Sequence, residues 1–172
     1  MKRNFSLSKQ WKNWITVEDE KRCWECEKYH GKIYPITEKP NPRPPVHPWC
    51  RCSLEVMSAL LAGTATDKGV EGADWFLKYY GKLPEYYISV DKAKQLGWKR
   101  KKGNLAEIAP ECMITREYYN REGVLPDKSG RTWQEADINY VSGKRNGERI
   151  FFSNDGLIFV SFDHGKTFVE IR

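Results

Sequence analysis

The chain has 172 residues, 40% of them apolar and 13% aromatic, which suffices for a core and excludes a compositionally disordered chain. Its 29 Lys/Arg against 23 Asp/Glu give a net charge of +6, which suits a polyanionic partner and equally serves solubility alone. No apolar run approaches the roughly 18 residues of a membrane helix, so no membrane partner is expected.

Met1 to Trp14 is basic and amphipathic, with no apolar h-region and no cleavage pattern. No signal peptide is therefore expected. If the protein leaves its cell, it does so by a route this segment does not show, or as part of a longer polypeptide. Four of the five cysteines lie between positions 23 and 52. Such clustering reads more like a metal site than a disulfide framework, which would spread through the domain. Cys23-x-x-Cys26 and His47-x-x-Cys50-x-Cys52 offer five soft or borderline donors, one more than tetrahedral zinc needs. A structural zinc ion is expected on Cys23, Cys26, Cys50 and one of Cys52 or His47. Free thiols and disulfides are the alternatives. A block of about 60 residues has little core of its own, so such a staple makes physical sense.

Leu61 to Gly69 is small, Gly/Thr-rich and free of large apolar anchors. It reads as a linker, dividing the chain into 1–60, 61–69 and 70–172. In the second block helices come first. Glu71 to Tyr80 carries Trp75, Phe76, Tyr79 and Tyr80 at helical spacing and stops at Gly81. Ser89 caps a short helix through Leu96, and another spans Leu105 to Ala109. After Gly130 the period becomes two. Thr132 to Ile138, Arg149 to Ser153, Leu157 to Phe162 and Thr167 to Ile171 read as strands, joined by turns at Asn154-Asp155-Gly156 and Asp163 to Lys166. Helices followed by antiparallel strands is the α+β pattern.

Alternation puts Trp133, Glu135, Asp137 and Asn139 on one strand face. Two carboxylates there need cations, and Arg131, Lys144, Arg145 and Arg149 are near in sequence. Spacing alone favours a solvated salt-bridge network. His164 is the lone histidine of this block and sits in a turn, where histidines are usually inert. Yet a carboxylate base, an imidazole acid and guanidinium groups are what metal-free RNA cleavage requires.

The stretches KLPEYYIS (82–89), LGWKRKKGNLAEIAP (96–110), NREGVLPDKSGRTWQEADINYVSGKRN (120–146), RIFFS (149–153) and DHGKTFVEIR (163–172) resemble the barnase family of bacterial guanyl-preferring ribonucleases. The likeness is collinear over nearly all of residues 71–172. It implies helices followed by a five-stranded antiparallel sheet, and an endoribonuclease needing no metal for catalysis. It implies Glu135 as general base, His164 as general acid, and Arg145 and Arg149 as phosphate-binding groups held by Asp137. Glu122 would accept from the guanine edge, and the backbone around Tyr119 and Arg121 would donate to guanine O6. Asn120 would shape that loop, while Lys102, Asn104 and Arg121 would line the groove. Asp155 and Arg131 match a structural ion pair.

Three departures stand out. The family lysine that contacts the reacting phosphate is Val90 here, with Lys92 or, one turn along, Lys94 as its expected replacement. The tyrosine after the catalytic histidine is Gly165. The segment Glu111 to Tyr119 is one residue shorter. A catalytically weakened nucleic-acid-binding module is therefore the rival reading, alongside a phage structural protein.

Trp14 to Asp19, Gly31 and Pro44 to Cys52 (PPVHPWCRC) resemble the C-terminal end of phage Mu F-type head-morphogenesis proteins. That implies a connector rather than a catalyst, with a nucleic-acid-binding zinc ribbon as the competing idea. Such a fusion resembles polymorphic toxins. It implies a monomeric toxin delivered by a specialised route into a target-cell cytoplasm, with RNA as substrate and a barstar-like acidic immunity protein as partner.

Overall fold

The structure is a computed structural model that describes residues 3–17, 19 and 24–172. The chain opens with strand β1 (Ser6–Ile15), helix α1 (Trp24–Glu27) and strands β2 (Ile33–Pro35) and β3 (Ser53–Leu60). A 3-10 turn (Gly69–Glu71) leads to α2 (Ala73–Tyr80), β4 (Tyr87–Ser89), α3 (Val90–Gln95) and α4 (Leu105–Ile108). Then follow β5 (Met113–Tyr118), β6 (Trp133–Asp137), β7 (Arg149–Ser153), β8 (Ile158–Ser161) and β9 (Val169–Ile171).

The fold is α+β, but the expected sheet needs correcting. Strands β5 to β9 do form an antiparallel meander of five. They are the middle of a nine-stranded mixed sheet, ordered β2-β1-β3-β9-β8-β7-β6-β5-β4. The reason lies at the two ends of the meander. An unpaired strand edge leaves a row of N–H and C=O groups without partners. Here β4 runs parallel to β5, and β3 runs parallel to β9 through Ala59↔Glu170 and Leu60↔Ile171.

Helix boundaries follow local chemistry. Ser89 Oγ accepts from the Lys92 amide and starts α3. Gly81, at φ 67°, ends α2 by donating its N–H to the Leu77 carbonyl. The 61–69 stretch read as a linker is held in place by Asp74, which is fully buried. Its carboxylate accepts from the amides of Gly63 and Ala65 and from Thr66 Oγ1.

Strand alternation sorts the core onto two faces. Ile150, Ile158 and Val160 face α2 together with Leu60, Leu77 and Ile138. Phe151 and Phe159 face the other way, against Trp133, Leu125 and Phe168. The N-terminal block contributes Trp11, Ile33 and Met57 to this second cluster, and the Trp11 ring meets Phe159 edge-on at 5.6 Å. Burying three such side chains contributes roughly 5 to 9 kcal/mol before conformational cost. A third cluster, around Trp98, Leu105 and Ile114, holds α3 and α4 to β5.

Candidate active site

Trp133, Glu135 and Asp137 share the β6 face that carries the aromatic cluster, so the candidate groups sit on the sheet face opposite α2. Asn139 does not continue the row, because the strand ends at Asp137 and Asn139 turns to φ 55°. Both carboxylates are buried, and each has its cations. Asp137, at 0% exposure, accepts from Arg145 Nε at 2.6 Å and Nη2 at 2.5 Å, and pairs with Arg149 Nε at 3.0 Å. Asp137 and Arg149 are also register partners across β6 and β7. Burial pushes the Arg149 guanidinium below its ordinary pKa; Asp137 opposes this, while Arg145 reinforces it. Two guanidiniums are thus fixed side by side by one carboxylate.

His164 is exposed and lies at φ 64° in the turn after β8. Its amide donates to the Gly147 carbonyl at 3.0 Å, and its ring lies flush on Gly147, where a Cβ would come within 2.5 Å. Gly147 is two residues from Arg149, so the imidazole lies against the segment that leads into β7. Asp163 holds this turn, accepting from Thr167 Oγ1 and from the amides of Lys166 and Thr167. Burial alone would raise the Asp163 pKa; these bonds keep it below the usual carboxylate range.

The 119–125 loop is stapled by Asn120, whose Nδ2 donates to Leu125 O at 2.7 Å while Oδ1 accepts from Leu125 N at 3.1 Å. Glu122 and Arg121 are exposed, and Arg121 lies over the Tyr119 ring. The Arg121 amide donates to Tyr119 O at 2.6 Å, closing the loop on itself where a guanine acceptor was expected. Asn104 is also a staple: Oδ1 accepts from Lys99 N, and Nδ2 donates to Gly97 O. Lys102 is exposed next to Gly103, whose backbone abuts Gly143 and Lys144. Arg131 grips Asp155 through Nε and Nη2. This holds the Asp155 carboxyl well below the usual carboxylate range.

Sequence reasoning missed Arg116. Its Nε donates to Glu135 Oε1 at 2.5 Å. The two residues are register partners across β5 and β6. Strand β4 pairs Ser89 with Thr115 in parallel, and the ladder ends there, because Val90 begins α3 and packs on the cluster around Trp98 and Leu105. The cation that faces Glu135 thus comes from β5. Lys94, the expected replacement, lies 3.9 Å from Asp91 on the exposed side of α3. The signal for Arg116 was a lone arginine in MITREY, legible only once the pairing of β5 with β6 is known.

Away from this face, Cys26, Cys50 and Cys52 bring their sulfurs within 4.8 Å of one another. They could hold a metal. Cys23 lies outside the described residues.

A family model described as ribonuclease matches residues 77–172, more than half of the chain. The chain belongs to the ribonuclease family. A ribonuclease of Heyndrickxia coagulans is 52% identical over 101 residues, covering 58% of this chain and 92% of that protein. Ribonucleases of Bacillus intermedius and Bacillus pumilus are each 52% identical over 101 residues, covering 58% of this chain and 62% of theirs. The match falls on the segment carrying Glu135, Arg145, Arg149 and His164, and leaves the N-terminal block outside it.

Proposed function

We propose that residues 70–172 cleave single-stranded RNA after guanosine without a catalytic metal. The observation that carries this reading is the pair of guanidiniums held by buried Asp137, flanked by Glu135 on the same strand and His164 against Gly147. In the first step Glu135 takes the 2′-hydroxyl proton and the 2′-oxygen attacks phosphorus. The bond to the 5′-oxygen breaks, and that oxygen takes a proton from His164. The product is a 2′,3′-cyclic phosphate. In the second step the roles reverse and water opens the ring. Arg145 and Arg149 bind the dianionic phosphorane, where each clamp is worth about 10²–10³-fold in rate. Arg116 supplies the cation beside the base. Glu122 reads the guanine edge once the Arg121 amide releases Tyr119, with Lys102, Asn104 and Asn120 shaping the groove.

By the same resemblance the chain is a delivered toxin, with residues 1–60 as a phage-derived connector. Its immunity protein would be acidic and barstar-like, covering Lys102, Arg121, Arg145, Arg149 and His164. Unchanged affinity for such an inhibitor in the Arg121→Ala/Arg145→Ala variant would reject that contact surface.

The test of the cleavage reading is turnover of GpA by the full chain in metal-stripped buffer, with and without added Mg²⁺. Cyclic guanosine phosphate should form equally in both. No turnover, or turnover only with Mg²⁺, overturns the reading. Equal turnover of ApA overturns the guanine preference.

A further inference from the structure

The thiol group has a built geometry. Cys26 is 1% exposed on α1, and its Sγ lies 3.7 Å from Cys50 Sγ and 3.3 Å from His47 Nε2. A sulfur–sulfur separation of 3.7 Å is no disulfide, whose bond is about 2.05 Å. The Cys26–Cys50 and Cys26–His47 separations match two edges of a tetrahedron, while the group whose ligand atoms all lie within 4.8 Å of one another is Cys26, Cys50 and Cys52. Metal–sulfur bonds of about 2.3 Å and metal–nitrogen bonds of about 2.05 Å give edges of roughly 3.8 Å between sulfurs and 3.5 Å from sulfur to nitrogen. His47 supplies a second, independent sign. Its Nδ1 lies 2.8 Å from the Pro48 carbonyl, which can only accept, so Nδ1 carries the proton and the Nε2 lone pair faces Cys26. Metal-ligating histidines are oriented by this kind of bond.

A short run of chain connects this cluster to the nuclease. Tyr29 N donates to Cys26 O, and Tyr29 stacks on Trp14. Gly31 N then donates to Trp14 O, and Ile33 N donates to Val124 O at 2.8 Å. Gly31, at φ 77°, sits so close to the Lys166 carbonyl that a Cβ would lie 2.8 Å from it. Val124 is two residues beyond Glu122, and Lys166 two residues beyond His164. One turn therefore touches both loops of the nuclease site.

We propose that Cys26, Cys50 and Cys52 bind one zinc-type divalent ion, with His47 Nε2 moving in from beside Cys26 as the fourth ligand, and that this ion clasps the 29–33 turn as a brace for the 119–125 and 163–167 loops. Binding releases the thiol protons to solvent and involves no change of oxidation state. The metal part stands alone; what the two loops do in catalysis rests on the function proposed above.

The full chain, stripped and reloaded with Co²⁺, should bind one ion and show intense tetrahedral bands with thiolate charge transfer. These bands should weaken in Cys50→Ser and in His47→Ala. Failure to retain the ion, or a weak octahedral spectrum, overturns the site. Loss of the bands in Cys23→Ser with retention in His47→Ala overturns His47 as the fourth ligand. Amide exchange tests the brace without needing turnover. On removal of zinc, residues 120–125 and 163–167 should exchange roughly tenfold faster or more, while the β5–β6 ladder holds. Unchanged loops overturn the brace. Gly31→Val should keep the cobalt spectrum and still loosen both loops. If the loops respond but GpA is never cleaved, the brace stands and the cleavage reading falls.

Discussion

Arg116→Ala removes the cation facing Glu135 and leaves the acid, the base and the arginines on Asp137 untouched. The Arg116 side chain is 50% exposed and that of Glu135 is 6% exposed. A hydrogen bond to a charged group is worth about 1.5 to 3 kcal/mol when both ends are shielded. Solvent on the Arg116 side brings the expected loss of folding stability down to about 1 kcal/mol. The catalytic loss should be larger, about 10²-fold, because Arg116 also holds the Glu135 carboxylate in position to take the proton. The assay is kcat/KM on GpA, with urea unfolding as the control for stability. Arg116→Lys keeps the charge without the planar fork and should fall between wild type and alanine. Val90→Lys in the alanine background returns a cation to the position of the family's lysine and should restore about tenfold or more. A drop of less than about threefold, ~0.65 kcal/mol of barrier, would refute the reasoning.

Glu135→Gln and His164→Ala should each lower kcat by about 10²–10⁴-fold with residual turnover, and His164→Ala should change the melting temperature little, because the residue is exposed and its ring packs only on Gly147. Full activity of either variant in a GpA assay would remove it from the mechanism. Asp137→Asn leaves Arg145 and Arg149, both largely buried, facing a neutral amide, and should cost about 3 to 5 kcal/mol in urea unfolding. A cost below about 1 kcal/mol would mean water already screens the pair. The Asp155 pKa is depressed in the folded state, so its pairing with Arg131 stabilises the protein above the ordinary carboxylate range and is lost as pH falls below about 4. Asp155→Asn should therefore flatten the acid limb of a stability-versus-pH curve while lowering stability at neutral pH.

Elements with local punctuation were legible in the sequence. Strand β7 ends where the run RIFFS ends, and α3 begins after the serine that caps it. The N-terminal strands were not legible, and the cause is a break in period. Between Leu7 and Lys12 β1 advances five residues while its partner β3 advances two, from Ser58 to Val56. Ser8 Oγ holds the excess by accepting from the amides of Gln10 and Trp11. Trp11 and Trp14 thus both turn inward without alternating. Strand β5 hid for another reason: Arg116 and Glu117 make its second half look like loop. At the site, position-by-position resemblance marked out Glu135, Arg145, Arg149 and His164. It looked for a replacement cation on α3, at Lys92 or Lys94, because it carried the family's element along with the family's charge. Arg116, which bonds Glu135, lies on β5, and that pairing exists only in the folded sheet.

The nine-stranded sheet is open, yet it offers a neighbouring chain little to adhere to. Its outermost strands, β2 and β4, are three residues each. Strand β2 closes on Pro35, which has no N–H to donate, and β4 runs at once into α3. A fibril needs a template of several consecutive free backbone groups, more than a three-residue strand supplies. The shortness of these two rim strands thus limits how much of a second copy this nuclease could pair along them.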